Sequence, residues 1–409
     1  MRKLEVRFSG APGEHLVVGW LAEDRGRTFF EYEPSYLASG WSLSPFHLPF
    51  RPGLHEHTDL GFGPLPGLFD DSLPDGWGLV LQDRHFRRLG HAPAPVSPLE
   101  RLAWLGTSTM GALTYHPPTS REDVDERLVD LHDLARQSQD LLSGDASEVL
   151  PQLLRAGGSP GGARPKVLVA VDPGTGALVS GADALPSGYE HWLVKFSARQ
   201  DARDAGPLEQ AYALMATAAG IDIPPTRLFE TAQGDRFFGV KRFDRAGRRR
   251  VHVHTFGNLI HANFRIPSSD YGDLLKVTSI LTRNHANVVA VYRRMVFNVA
   301  THNRDDHVKN FAFRLHEATG EWSLAPAYDL TFAPGPGGEH SMTLAGEGRD
   351  PGHEQFGRLA KQHSIGTKTA MDVVDEVRAA VAGWNGFADQ AKVHPAAANQ
   401  VATSLPPLH

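Results

Sequence analysis

The chain has 409 residues, 41% hydrophobic and 22% charged, with a formal net charge of −6. That is enough apolar side chain for two or three lobes, without the overall basicity that direct nucleic-acid binding calls for. The absence of cysteine excludes disulfides and thiolate zinc centres and favours a cytoplasmic location, while no apolar run approaches the roughly eighteen residues of a membrane span.

The opening MRKLEVRFSG alternates apolar and charged residues as a strand does and lacks the apolar core of a signal segment. Residues 1–115 read as short strands broken by Gly and Pro, with HLVVGWLAED and RTFFEYE spaced as a hairpin. LFDDSLPDGWGLVLQDRHFRRL reads as a loop entering a helix, and HPPTSRED, 116–123, as a boundary. A helix is predicted over about 123–142, with Val124, Leu128, Leu131, Leu134 and Leu141 near one face. A new rhythm starts at Gly157. RPKVLVAVDPGTGALVSG forms two strands around a Pro-Gly turn, and HWLVKFSA is an apolar strand holding one lysine. GPLEQAYALMATAAG is a helix with Pro207 near its first turn and Gly220 at its end. TRLFETAQGDRFFGVKRFD is a hairpin around Gln233, Gly234 and Asp235. After Arg250 the pattern turns mainly helical, apart from one hairpin after residue 310. The organisation is therefore α+β: a β-rich unit (1–115), a β-rich lobe (116–245), a helical lobe (246–395) and a tail (396–409) that reads as disordered or loosely attached.

The stretch THNRDDHVKNFAF, 301–313, follows a helical pattern of Val288, Tyr292, Met295 or Val296, and Val299. That helix delivers its polar cluster at the C-terminal end. Asp305 and Asn310 are five apart, the interval of the kinase catalytic loop, in which the Asp takes the proton of the attacking hydroxyl and the Asn holds Mg²⁺. Asp329, in PAYDLT beyond the next hairpin, stands where a second metal-binding Asp is needed. On spacing alone, a capped helix end with a solvated turn fits equally well. Lys195, within its apolar strand, and Glu209, in the next helix, match the kinase Lys–Glu pair. A solvent-facing lysine and a first-turn acid set against the helix dipole are the plainer readings. RAGGSPGGARPK, 155–166, has four glycines within six residues, with Arg164 and Lys166 close by. Its backbone N–H groups can approach an anion, although it is neither a Walker A motif nor Gly-x-Gly-x-x-Gly and an interlobe loop would look the same. What singles these features out is their order: loop, Lys strand, Glu helix, hairpin, Asp/Asn loop, Asp.

With that order in place, most of residues 1–345 resembles the HipA family of serine/threonine kinases, the toxins of bacterial type II toxin–antitoxin pairs. The resemblance lies in LFDDSLPDGWG, TSTMGALTYHP, SPGGARPK, HWLVKFS, EQAYALMATAAGIDIP, KRFDR, RDDHVKNFAF and LAPAYDLT. It implies a two-lobed protein-kinase-like fold using ATP and Mg²⁺. Asp305 would be the catalytic base, and Asn310 and Asp329 would ligate Mg²⁺. Lys195, paired with Glu209, would hold the ATP phosphates. Residues 159–166, with Ser159, Gly161, Gly162, Ala163 and Lys166, would cover them. Arg242 and Phe243 would flank the nucleotide at the hinge. Lys309 would help neutralise the transferring group, His307 would brace the loop, and Asp306 would be solvated. Ser159 falls on the serine that family members autophosphorylate, and its phosphate could not share the site with those of ATP. The resemblance further implies a small helix-turn-helix antitoxin as partner, DNA contact mainly through that antitoxin, and a protein substrate such as an aminoacyl-tRNA synthetase, though no residue here selects one. The chain departs from the family at Lys241, where many members carry Glu, and in placing Pro160 beside Ser159, which restricts the loop. His252, His254 and His261 are read as strand and helix histidines in preference to a metal site. Two other classes of function remain beside the protein kinase: a kinase fold kept as a binding module, and a small-molecule kinase.

Overall fold

Period-two burial builds the first sheet. The computed structural model describes residues 2–10, 13–90, 96–119, 128–144, 153–154, 162–180, 188–197 and 204–406. Strand β1 (Arg2–Phe8) turns Leu4, Val6 and Phe8 inward. The predicted hairpin is β2 (Leu16–Asp24) and β3 (Arg27–Tyr32), joined through Arg25 and Gly26 at φ 50° and 76°. Positive φ at both turn residues matches the right-handed twist of the strands they join. With β4 (Leu54–Glu56) and β5 (Leu113–His116) these form one antiparallel sheet in the order β4–β3–β2–β1–β5. Around it lie α1 (Pro34–Leu37), α2 (Gly67–Asp70), α3 (Gly76–Arg88) and α4 (Pro98–Leu105). Helix α4 opens on a capping box between Ser97 and Glu100.

The second sheet has the order β7–β6–β8–β10–β9. Its strands are β6 (Lys166–Val171), β7 (Leu178–Ser180), β8 (Glu190–Lys195), β9 (Thr226–Glu230) and β10 (Arg236–Lys241). Its core takes Val167, Val169, Val194 and Phe237 from the strands and Trp77 and Leu81 from α3, so the first unit contributes directly to the second. Helix α5 (Leu131–Ser143) is shorter than the predicted 123–142. The Asp130 carboxylate caps the backbone N–H groups of His132 and Asp133, which starts the helix there. Leu128 is exposed in an isolated bridge to Val179, and Val124 lies outside the described residues. Helix α6 (Ala205–Ala218) packs against β9 and β10.

A small hairpin, β11 (Arg245–Ala246) and β12 (Arg249–Arg250), leads into the helical lobe. The hairpin after residue 310, β14 (Ala312–His316) with β15 (Glu321–Leu324), is joined by a third strand that the helical reading did not expect, β13 (His252–Thr255). At four residues, with histidine at alternate positions, β13 has too little apolar content to announce itself. The helices are α7 (Phe256–Leu259), α8 (Tyr271–Thr282), α9 (His285–Ala300), α10 (His353–Gln362), α11 (Thr367–Ala382), α12 (Trp384–Gln390) and α13 (Pro395–Ser404). The tail is thus not loose as far as residue 406. Pro395 sets the first turn of α13, Val401 is buried, and the Trp384 indole N–H donates to the Ala398 carbonyl at 3.0 Å. One continuous apolar core joins the first sheet, α6 and the helical lobe. The result is a two-lobed, protein-kinase-like α+β fold with an added N-terminal unit. Among the described residues no helix is long and apolar enough to cross a membrane.

Candidate active site

Lys195 ends β8 with its ammonium between two carboxylates, those of Glu209 on α6 and Asp329. Antiparallel pairing sets Lys166, the first residue of β6, directly opposite Lys195. Two lysines and two acids thus share a water-poor corner. Burial pulls Lys195 down, but Asp329 and Glu209 more than offset it and hold the ammonium above the usual lysine range. Lys166 is lowered by burial, and burial raises Glu209 despite Lys195. Burial would raise Asp329 too, yet Lys195 and Lys166 hold it well below the usual carboxylate range. Asp329 also sits at φ 54°, the left-handed region that a non-glycine side chain adopts only when its surroundings insist.

The catalytic-loop candidates follow α9. Asn303 Nδ2 donates to Asn298 Oδ1 at 3.0 Å, and Arg304 N donates to Ala333 O at 3.0 Å, which pins the start of the loop after α9. Asp305 lines the cavity, whereas Asp306 is buried at 1% exposure. Asp306 is therefore not solvated: it accepts hydrogen bonds from Tyr271 Oη, the His340 ring and Ser341 N, each at 2.8 Å. The Asp305 carboxyl is raised, first by loss of water, then by the negative charges of Asp329 and Asp306, with His307 opposing.

Asn310 Nδ2 donates to the Asp305 carbonyl at 2.6 Å, and Tyr328 Oη donates to the Lys309 carbonyl at 2.6 Å. His307 caps the short turn Val308–Asn310, its Nδ1 accepting from Lys309 N at 3.2 Å, and packs on Phe264 with 5.5 Å between ring centroids. That is a bracing position. Lys309 reaches away from this loop to the N-terminal unit, 3.3 Å from Asp70 Oδ2 and 4.0 Å from Asp75 Oδ2, over the Phe264 ring.

Among the described residues no group of three or more His, Asp or Glu side chains is placed to hold a metal. Asn310 and Asp329 offer one carboxamide oxygen and one carboxylate. That set suits Mg²⁺, a hard cation that keeps several waters and completes its shell with substrate phosphates.

Of the Gly-rich loop, Ser159, Pro160 and Gly161 lie outside the described residues, while Gly162, Ala163 and Lys166 line the cavity. Gly162 has φ 95°, a backbone conformation that favours glycine. The cavity measures about 940 Å³ and is also lined by Lys195, Asp305, Asn310 and Asp329, a volume suited to a nucleotide-sized ligand. Phe243 forms part of its wall, stacked on Tyr328 with centroids 5.7 Å apart. Arg242 reaches the same wall, but its guanidinium is forked onto buried Asp244 at 2.9 and 2.7 Å, a carboxylate it shares with Arg245. Its charge is taken up by Asp244, which lines the same cavity. Lys241 pairs with Glu190 at 2.7 Å.

The histidines serve as pins between units. His254 lies between Ser44 Oγ, at 2.9 Å, and the Asp71 carboxylate, and Thr255 N and Oγ1 also donate to Asp71. The order serine, histidine, aspartate is that of a hydrolase triad, but Ser44 and His254 are buried at 1% and 0% exposure and no substrate can reach them. His252 Nε2 bonds the Leu43 carbonyl, and burial lowers its pKa to about 4. His261 stacks between His47 and Phe62. Sequence reasoning assigned no role to Asp70, Asp71 or Asp75. Three acids packed around Pro74 ahead of a Gly-initiated helix were the available signal.

Family models match two stretches of the chain: residues 13–116 as a HipA N-terminal domain and residues 158–384 as a HipA-like C-terminal domain. HipA of Shewanella oneidensis MR-1, solved with HipB and its operator DNA, superposes with a TM-score of 0.69 at 17% identity, covering 99% of this chain and 92% of that one. Y4dM of Sinorhizobium fredii (strain NBRC 101917 / NGR234), provisionally named a kinase, is 29% identical over 154 residues. That match spans only about a third of either protein, 34% of this chain and 36% of Y4dM.

Proposed function

Since the chain belongs to the HipA family, we propose that it is an ATP- and Mg²⁺-dependent kinase that phosphorylates serine or threonine hydroxyls of a cellular protein. The observation that carries this reading is Lys195, held between Glu209 and Asp329 in the cavity that Asp305 and Asn310 also line. In this reading Lys195 and Lys166 meet the ATP phosphates, and Glu209 fixes the Lys195 ammonium. The substrate hydroxyl attacks the γ-phosphorus. A new O–P bond forms, the bond from that phosphorus to the β,γ-bridging oxygen breaks, ADP leaves, and the hydroxyl proton passes to the Asp305 carboxylate. A base whose pKa is raised holds that proton better than an ordinary aspartate does. Bound Mg²⁺, held by Asn310 and Asp329, would neutralise charge developing on the phosphoryl oxygens.

The finer proposals follow from the family. Ser159 is an autophosphorylation site that shuts the kinase by putting nearly two negative charges where ATP phosphates belong. A helix-turn-helix antitoxin binds and silences the protein, which meets DNA mainly through that partner. This fits the net charge of −6 and the HipA–HipB–operator assembly of the Shewanella protein. An aminoacyl-tRNA synthetase is the expected class of substrate.

The test is mass spectrometry of purified protein incubated with ATP and Mg²⁺, beside Lys195→Ala. Phosphate on Ser159 in the wild type and none in the variant is expected. Absence of phosphotransfer to itself and to every protein of a cell lysate would favour the binding-module reading.

A further inference from the structure

Among the parts of the N-terminal unit that line the cavity is the turn at Asp75 and Gly76, at the start of α3. One Asp75 carboxylate oxygen accepts the backbone N–H of Gly162, 87 residues away. The other lies 4.0 Å from the Lys309 ammonium. Further contacts hold the turn against the loop. Trp77 N donates to the Gly162 carbonyl at 3.0 Å, and Trp77 Nε1 donates to the Lys166 carbonyl at 3.1 Å. The approach is so close that a Cβ on Gly76, which has φ 44°, would fall 2.5 Å from Gly162 O. Asp70 secures the lysine from beside it: its Oδ2 is 3.3 Å from Lys309 Nζ and accepts from Asn258 Nδ2 at 3.0 Å.

We propose that Asp75 is a positioning residue of this active site: it ties Gly162, at the C-terminal end of the Gly-rich loop, to the catalytic-loop lysine, so that the N-terminal unit fixes that end of the loop at the cavity. The proposal rests on the kinase reading above. A single carboxylate that accepts a loop N–H and faces a catalytic-loop cation at 4.0 Å links two segments that share no secondary structure. Gly162 lies four residues before β6 begins at Lys166, so its amide is a point at which the C-terminal end of the loop is anchored ahead of the sheet. Freed from that anchor, the loop must be ordered by ATP itself, and this weakens ATP binding more than it slows the chemistry.

The experiment compares wild type, Asp75→Ala, Asp75→Asn and Asp70→Asn in the full chain, with matched melting temperatures. It reads KM for ATP, kcat, and hydrogen exchange of the peptide carrying Gly162 without nucleotide. Asp75→Ala should raise KM for ATP roughly tenfold or more, the scale of a lost hydrogen bond to a charged group, with a smaller fall in kcat and faster exchange. Asp75→Asn keeps an acceptor for the Gly162 N–H but loses the charge facing Lys309. It should hold KM within about threefold while kcat falls, as in Asp70→Asn. Unchanged KM and exchange in Asp75→Ala would overturn the proposal, as would an equal rise of KM in both Asp75 variants. If Asp75→Ala does not fold, a wild-type kcat in Asp75→Asn overturns it alone. Faster exchange in Asp75→Ala together with no phosphotransfer by wild type would leave the clasp standing and sink the kinase reading.

Discussion

Asp305 and Asp306 are adjacent and have opposite surroundings. Asp305 faces the cavity with a raised pKa, and Asp306 disappears under three donors. Because the base must be ionised, a raised pKa shifts the acid limb of kcat/KM upward, above the ordinary aspartate value of about 4, and activity falls as pH drops through it. A pH–rate profile checks this, and an acid limb at or below the ordinary value would contradict it. For Asp306 the expected effect is on stability. Asp306→Ala strands the Tyr271 hydroxyl, the His340 ring and Ser341 N–H without their acceptor, and should cost about 2–4 kcal/mol by denaturant unfolding. A loss under 1 kcal/mol would mean that water replaces the carboxylate. The Asp305–Asn310 interval was legible in the sequence because both lie within one loop. The division of labour between the two aspartates was not, since the partners of Asp306 arrive from residues 271, 340 and 341.

Among the elements, the readable ones carried their own signals. The Lys195 strand, the Glu209 helix and the two-residue turn at Arg25–Gly26 are each settled by local pattern or turn chemistry. Those misread depend on tertiary contacts. Strand β13 exists because β14 lies beside it, and α13 exists because Val401 and Trp384 find partners. Val401→Asp should therefore lower the melting temperature by several degrees, since it buries an unpaired charge against the core. An unchanged melting temperature would restore the view of this segment as a loose tail. The hinge offers a harsher case. Asp244 accepts from Arg242, Arg245 and Gly111 N. Asp244→Ala leaves two buried guanidinium groups short of their counter-charge and should cost about 3–5 kcal/mol.

For the whole molecule, the site is an assembly of three regions that are far apart in the chain. Lys309 and Asp70 are separated by 239 residues, and Lys195 and Asp329 by 134. The ordered series of loop, Lys, Glu, Asp, Asn and Asp could be read because each member has its own local motif. The acids of the N-terminal unit carry no such motif, and only folding shows what they meet. The most direct test of the central claim is the rate of phosphate transfer from γ-labelled ATP with Mg²⁺, measured for wild type and Asp305→Asn under identical conditions. The expected result is transfer by wild type and a rate about 10²–10⁴ lower in Asp305→Asn, with ATP binding retained. Transfer by Asp305→Asn at the wild-type rate would contradict the assignment of Asp305 as the base.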